Sequence, residues 1–520
     1  MRRITFFLIL SIVAGCVAGD EPEDTLSPSN DGEDGDEYAG YDESLKADGF
    51  TPVTGPLVFE GACTEGDRIT IAAVGDVLLH GRLQQQAFAE SDRFISLWSG
   101  VRDLLEQADV TYANFEGPSA AGVTAQGNSV ADPGPVFDNV VYTSYPQFNY
   151  HGSVIDDLLA SGVDVVSSAN NHSLDRRSLG ADRTIEAFES RGMPFTGTRR
   201  SDGSGDWYTF IEAAGFKLAW LACTFSTNGI SDPNDQVLRC FNDRAEVLSL
   251  VRELAGRSDV DAVIVTPHAG VEYEATPNQD QVDLAHDILD AGAIAVIGSH
   301  PHVLQPWERY VTNDGRETFV IYSLGNFVSG QTNLARRSSL LLYLGLTRAS
   351  NGNVVVNGAR YVPLHASRRD VGITVEAIDR VGGLADSRSL TVGMFGSWNV
   401  HAPSAPLVTD PQCDPEWTPP PAPHPHDGWI GGSCETDLTC GGTTCEPDLP
   451  GGFCTQACTS TCPDQSGRAT TFCIDLDIGD EGSCVNQCST SVDCRQGYTC
   501  EPKERYNDPS TVRTVCVPAS

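Results

Sequence analysis

Along the middle of the chain, hydrophobic residues recur in short β-branched runs separated by amphipathic stretches, the alternation that builds α/β folds. The runs at 69–74, 109–113, 164–168, 216–221, 261–266, 293–297 and 318–322 read as strands. The stretches at 94–107, 179–191, 244–256 and 280–291 carry apolar residues at helical spacing and read as helices. The residues at the strand ends narrow the picture. Five strands run into Gly75-Asp76, Asn114-Phe115-Glu116, Ala169-Asn170-Asn171-His172, Pro267-His268 and Gly298-Ser299-His300-Pro301-His302. Ligand sites in α/β sheets lie outside the carboxyl ends of the strands. Carboxylate, amide and imidazole groups are therefore delivered to one edge, where four of the 11 histidines stand. Such donors suit manganese, zinc or iron and exceed the needs of one tetrahedral ion, which predicts two divalent metal ions.

The start of the chain has a different pattern. Arg2-Arg3 precedes an apolar run at 4–13 that ends in Ala14-Gly15-Cys16, the layout of a secretory signal. A run this short does not span the hydrocarbon layer, which needs ~20 residues in a helix. Ile12-Val13-Ala14-Gly15-Cys16 resembles a bacterial lipobox. That resemblance implies a signal peptide at 1–15, a lipid anchor on Cys16, and an exported lipoprotein on a membrane facing the periplasm or cell surface. An ordinary signal peptide with an incidental cysteine is the alternative. Residues 16–60 read as an acidic disordered tether: 20–48 hold twelve acids against Lys46 alone, with too little apolar surface to offset the entropy of ordering.

Charge and cysteine content add two limits. With 71 acidic and 33 basic side chains the chain carries a net charge of −38, which excludes the usual basic nucleic-acid surface. Twelve of the 17 cysteines crowd into 434–516, a density typical of disulfide scaffolds. That segment has no Cys-x-x-Cys pair and no histidine, so six disulfides are expected rather than zinc. Motifs such as Asp437-Leu438-Thr439-Cys440 and Gly497-Tyr498-Thr499-Cys500 echo one another within it. Residues 401–432, with Pro419-Pro420-Pro421, read as a stiff linker to this module at 433–520. Cys223 and Cys240 bracket a Gly/Asp/Pro/Asn loop and are expected to close it; Cys63 and Cys413 are the two left over. Without Cys16 the cysteines number an even sixteen, in keeping with an anchor.

The strand-end motifs, taken in order with Ser173-Leu174-Asp175, His268-Ala269-Gly270-Val271-Glu272-Tyr273, His300-Pro301-His302-Val303-Leu304-Gln305 and Tyr322-Ser323-Leu324-Gly325-Asn326-Phe327, resemble those of the CapA family. That family is named for poly-γ-glutamate capsule synthesis and belongs to the calcineurin-like metallophosphoesterases. The resemblance implies an α/β metallophosphatase domain at 61–400, a sandwich of β-sheets flanked by helices. It implies Asp76, Glu116, Asn171, His268, His300 and His302 as metal ligands, with Glu116 bridging. His172 would be the catalytic proton donor with Asp175 orienting it, and Glu272, Tyr273 and Asn326 would meet substrate.

Two departures stand out. The usual Asp-x-His is missing; either His80 supplies the imidazole or the first metal site is weakened or absent. Ala269 replaces the usual aromatic residue. The function implied is metal-dependent hydrolysis, of a phosphoester or a γ-glutamyl amide, with metal-activated water as nucleophile. Its substrate would be poly-γ-glutamate or a related anionic cell-envelope polymer. The alternative is a non-catalytic polymer-binding or export protein using the same pocket. Arg176-Arg177, Arg199-Arg200 and Arg336-Arg337 read as solvated surface, or else as a basic patch that receives the polymer. The partner of the C-terminal module is open.

Overall fold

A computed structural model describes residues 55–519, apart from 370–371, 382, 415–428, 435–439, 441–442, 465–468, 477, 479–480 and 496. The signal segment, Cys16, most of the acidic tether and the centre of the proline-rich linker lie outside the described residues. No helix among those described is long and apolar enough to cross a membrane.

Two sheets carry the fold. Their strands are, in chain order, β1 (Gly66–Val77), β2 (Val110–Phe115), β3 (Val165–Ser167), β4 (Phe195–Thr196), β5 (Tyr208–Ala213), β6 (Phe216–Thr224), β7 (Ala262–His268), β8 (Ala295–Ile297), β9 (Leu304–Val311), β10 (Glu317–Leu324), β11 (Asn326–Val328), β12 (Ser338–Ala349), β13 (Val354–Arg369) and β14 (Gly372–Ala377). One sheet runs β14-β13-β12-β1-β2-β3-β4 with β11 beside β1, and the other β5-β6-β7-β8-β10-β9.

Alternation along the strands sets the layers, because successive side chains leave a strand on opposite faces. In β1, Ile69, Ile71 and Ala73 enter the core between the sheets, while Ala72 and Val74 face outward. In β12, Leu340, Leu342 and Leu344 point inward and Leu341 and Tyr343 outward. The other sheet does the same: Leu218 and Trp220 of β6 point in, Ala219 and Leu221 out. Both outer faces are then covered, one by helices that include Gly81–Ala89 and Ser153–Leu159, the other by Arg244–Ala255 and Gln279–Asp290. A helix, two sheets and a helix make four layers, and each fully buried Leu, Ile or Phe contributes about 1.5–3 kcal/mol.

Acidic residues order the strands at the edge remote from the site. Asp109, Asp164 and Asp261 each stand just ahead of a strand, and each accepts a hydrogen bond from a backbone N–H of the neighbouring strand: Thr70 N at 2.8 Å, Thr111 N at 2.8 Å and Lys217 N at 2.7 Å. The backbone N–H of each aspartate answers by donating to the carbonyl of the same residue. Part of the negative charge is thus spent on strand register.

Two elements depart from the sequence reading. The helix expected over 94–107 breaks into Arg93–Leu97, Ser99–Val101 and Arg102–Leu105. Trp98 leaves helical geometry at the break, and its Nε1 donates to Ser161 Oγ at 2.8 Å. The long antiparallel hairpin β12–β13 was not among the expected strands, although Asn351-Gly352 between its two apolar runs is a hairpin turn signal.

Eight disulfides take every cysteine but Cys16. Cys63–Cys413 and Cys223–Cys240 lie before the linker. In the C-terminal module the pairs are Cys434–Cys445 with Cys440–Cys454, Cys458–Cys473 with Cys462–Cys484, and Cys488–Cys500 with Cys494–Cys516. In each group of four the first cysteine joins the third and the second joins the fourth. Three units of two interleaved disulfides therefore repeat in tandem, each with its own antiparallel pairing. Units this small bury too little apolar surface to fold alone, and each cross-link of 11 to 22 residues removes about 3 kcal/mol of freedom from the unfolded chain.

Candidate metal centre

The carboxyl ends of β1, β2, β3, β7 and β8 meet where the two sheets face one another. Asp76 enters at a register shift in β1, where its backbone N–H donates to Gly325 O at 3.1 Å. A Cβ on the preceding Gly75 would stand 1.8 Å from that same carbonyl, so only glycine permits the approach. His300 and His302 sit on the loop after β8 with φ of 104° and 59°, a left-handed backbone that side chains other than Asn, Asp and Gly seldom adopt. Such strain persists where the surroundings over-determine it, and here it turns both imidazoles toward the cleft.

Two groups of donors share one carboxylate. On one side, His268 Nε2 lies 2.9 Å from Asn171 Oδ1 and 3.2 Å from His300 Nδ1. On the other, His302 Nδ1 lies 3.0 Å from Asp76 Oδ2 and 3.0 Å from Asn326 Oδ1. Glu116 stands between them, its Oε1 3.6 Å from His268 Nε2 and 3.8 Å from His302 Nε2. All of these side chains are buried. Neither Glu116 oxygen has a hydrogen-bond partner, which is costly for a buried carboxylate unless a cation compensates it.

The electrostatics agree. Burial, then the nearby Asp76 carboxylate, pushes the Glu116 carboxyl well above its usual range. Burial and the neighbouring imidazoles hold His268 and His300 well below theirs, so both rings stay neutral. Burial works against a charged His302, but Glu116 and Asp76 outweigh it and raise the ring to about 10. Ligand atoms of Asp76, Glu116 and His268 lie within 4.8 Å of one another. Two carboxylates, the neutral imidazoles of His268 and His300, and a Glu116 oxygen pair without hydrogen-bond partners form a donor set that fits a divalent transition ion.

Beside this group, His172 Nδ1 lies 2.8 Å from Asp175 Oδ2, which also accepts from Phe148 N at 2.7 Å. The Phe148 ring stands edge-on to both His172 and His80, at 4.8 and 5.3 Å. Glu272 is half-buried and acts on both Glu116 and His302. The Tyr273 ring lies 6.2 Å from that of His302.

Three residues are placed differently from the simplest sequence reading. His80 points its Nδ1 at Gly330, accepting from its N–H at 3.0 Å, and packs its ring on Phe148. Asn326 is buried behind His302 rather than open to substrate. Its Nδ2 donates to His302 O, Gln331 Oε1 and Arg336 O while its Oδ1 faces the ring it orients. Arg176 is not solvated surface. It is fully buried, donating to Val141 O and Gln147 O and so holding the loop that carries Phe148.

Other contributors escape sequence reasoning. Asn114 Nδ2 donates to Asp76 Oδ1 at 2.7 Å and lies 3.1 Å from His268 Nδ1, tying one sheet to the other. Phe225 packs on His300 at 4.3 Å, and Tyr150 OH donates to Glu116 O while accepting from Leu79 N. Asn114 had a visible signal, standing two residues before Glu116; Phe225 and Tyr150 had none.

Comparison with known proteins agrees with this order of motifs. The chain is 28% identical over 300 residues to the PGA biosynthesis protein CapA of Bacillus subtilis, covering 56% of this chain and 71% of that one. It is 24% identical over 327 residues to the capsule biosynthesis protein CapA of Bacillus anthracis, covering 61% and 72%. Among solved structures, a putative 5'-nucleotidase from Staphylococcus aureus aligns with a TM-score of 0.36 at 14% identity, over 57% of this chain and 54% of that one. The profile described as bacterial capsule synthesis protein PGA_cap matches residues 70–331, half of the 520 residues, and the chain belongs to that family.

Proposed function

We propose that this protein is a metal-dependent hydrolase acting on poly-γ-glutamate or a related anionic cell-envelope polymer. The observation that carries the reading is the buried Glu116 carboxylate, unpartnered between His268 and His302. Two divalent ions would be held with Glu116 between them, one by Asn171, His268 and His300 and one by Asp76 and His302. Divalent ions held there supply Lewis-acid polarisation and activate water. The remaining work belongs to the chain's own residues. Asp175 holds the His172 ring through Nδ1, so that Nε2 can pass a proton to a departing group. Asn326 and Asn114 fix His302 and Asp76 before substrate arrives, and Phe148 and Phe225 shield His172 and His300 from water.

Export and anchoring through Cys16 complete the proposal. Eight disulfides indicate an oxidising compartment, and they account for every cysteine except Cys16. The C-terminal disulfide module would serve as a docking module joined by the linker.

The test is metal content and turnover of the purified protein. About two equivalents of Mn or Zn, and release of γ-glutamyl fragments that His300→Ala abolishes, are expected. Failure of the protein to bind either metal refutes the reading. Metal and polymer binding without turnover, surviving His172→Ala, identifies the non-catalytic polymer-binding alternative.

A further inference from the structure

The segment 269–274 leads from β7 toward the helix Gln279–Asp290 and carries Glu272 and Tyr273. It is laid along the loop after β8: Ala269 N donates to Ser299 O at 3.0 Å, and Tyr273 N donates to Pro301 O at 2.8 Å, between His300 and His302. Gly270 and Tyr273 take φ of 134° and 69°, and the second is a strained backbone for a bulky residue that persists only with support from outside the segment. Two buried glutamines supply it. Gln281 Nε2 donates to Ala269 O at 2.9 Å and to Gln305 Oε1 at 2.9 Å, and Gln305 Nε2 donates to Glu274 O at 2.8 Å. One pair of side chains thus holds both ends of the segment. The fit is close, since a Cβ on Gly270 would stand 2.6 Å from Gln281 Nε2.

We infer that Gln281 and Gln305 are positioning residues, an amide clamp that sets Glu272 against the metal centre for work on the substrate. The inference rests on the hydrolase reading. Each glutamine is itself fixed. Gln281 Oε1 accepts from Asn278 N at 3.0 Å while Gln281 N donates to Asn278 Oδ1 at 2.8 Å, a capping box that leaves the amide one orientation. Gln305 opens β9 three residues after His302, so the clamp is built on the same stretch of chain as two of the imidazoles. Its side chain is fully buried, where an amide is tolerated only with its partners made, so the two glutamines stand or fall together. What they hold in place is a charge: Glu272 is half-buried and acts on both Glu116 and His302. It sits between the two clamped ends, and its place follows from theirs.

Gln305→Met keeps the volume and removes both of its side-chain hydrogen bonds. In metal-loaded protein it is expected to lower turnover of a short γ-glutamate oligomer about tenfold or more with metal content unchanged, and to speed amide hydrogen exchange across 270–274. Gln305→Glu, whose buried carboxyl stays protonated and so both donates and accepts, recovers part of the loss. Gln281→Glu keeps the capping oxygen without the Nε2 donor and is expected to match Gln305→Met, which covers failure of the latter to fold. In a Glu272→Gln background Gln305→Met costs little more, because the group it positions has already lost its charge. Unaltered turnover in both clamp variants overturns the inference, as does an equal loss with and without the Glu272 carboxylate, unchanged exchange across 270–274, or loss of metal. Absence of metal or turnover in the wild type defeats the hydrolase reading instead, while exchange across 270–274 still tests the clamp, so the two failures are distinguishable.

Discussion

Nδ1 of His172 lies 2.8 Å from Oδ2 of Asp175, three residues on, and both side chains are buried. The carboxylate holds the ring in one orientation through Nδ1. Asp175→Asn keeps the size and loses the charge, so turnover is expected to fall about 10–100-fold with metal content unchanged. Loss of metal in this variant, or unaltered turnover, refutes the assigned role.

Glu116 separates the effects of burial and metal. In metal-free protein, burial and the nearby Asp76 carboxylate disfavour a charge on Glu116, so Glu116→Gln is expected to raise the melting temperature at neutral pH. In wild type, metal at a hundred times its dissociation constant adds about 2.7 kcal/mol of stability. The variant should show little of that gain. Thermal melts with and without Mn or Zn check both statements, and a metal-free variant less stable than wild type contradicts the first.

The Cys223–Cys240 disulfide ties the end of β6 to the loop after it. From that strand end Phe225 packs on His300, and its N–H donates to His268 O at 2.9 Å. The Cys223→Ser/Cys240→Ser double variant is expected to lose about 3 kcal/mol of stability, and to lose metal affinity as well. Denaturant unfolding and metal titration measure the two; unchanged affinity means the loop does not support the centre.

Acid sensitivity has an identifiable source. Burial, with Arg337 beside one and Arg360 beside the other, lowers His365 and His401 to about 4. An unfolded chain takes up these protons near ~6.5, whereas the folded chain waits until about 4. Their contribution is present above pH ~6.5 and is lost as pH falls toward 4. His268 and His300 add to the same slope. The His365→Gln/His401→Gln variant should therefore show a shallower fall in melting temperature between pH 6.5 and 4.5. An unchanged slope would mean that both rings titrate normally.

Much of this was legible in the residues themselves. The β-branched runs became β1, β2, β3, β6, β7, β8 and β10, and their flanking aspartates became register locks, because both are local properties of one strand and its neighbour. The motifs after the strands were legible for the same reason: a strand end delivers whichever residue comes next in the chain. The group a side chain meets across the cleft is not a local property. Asn114 reaching from β2 to His268 on β7, Phe148 arriving from a long loop to stand between His80 and His172, and Arg336 on Tyr273 all join residues far apart in the chain.

Sequence alone determined the sheet edge at which carboxylates and imidazoles collect, the family, and the division between an α/β body and a cysteine-rich end. Tertiary structure decided which of those groups face one another. It set His80 against Gly330, buried Arg176, and turned Asn326 toward His302. It also left Glu116 without a partner. The physical reason is burial: a polar atom's partner inside a protein is chosen by packing across layers, and no spacing along one strand encodes it.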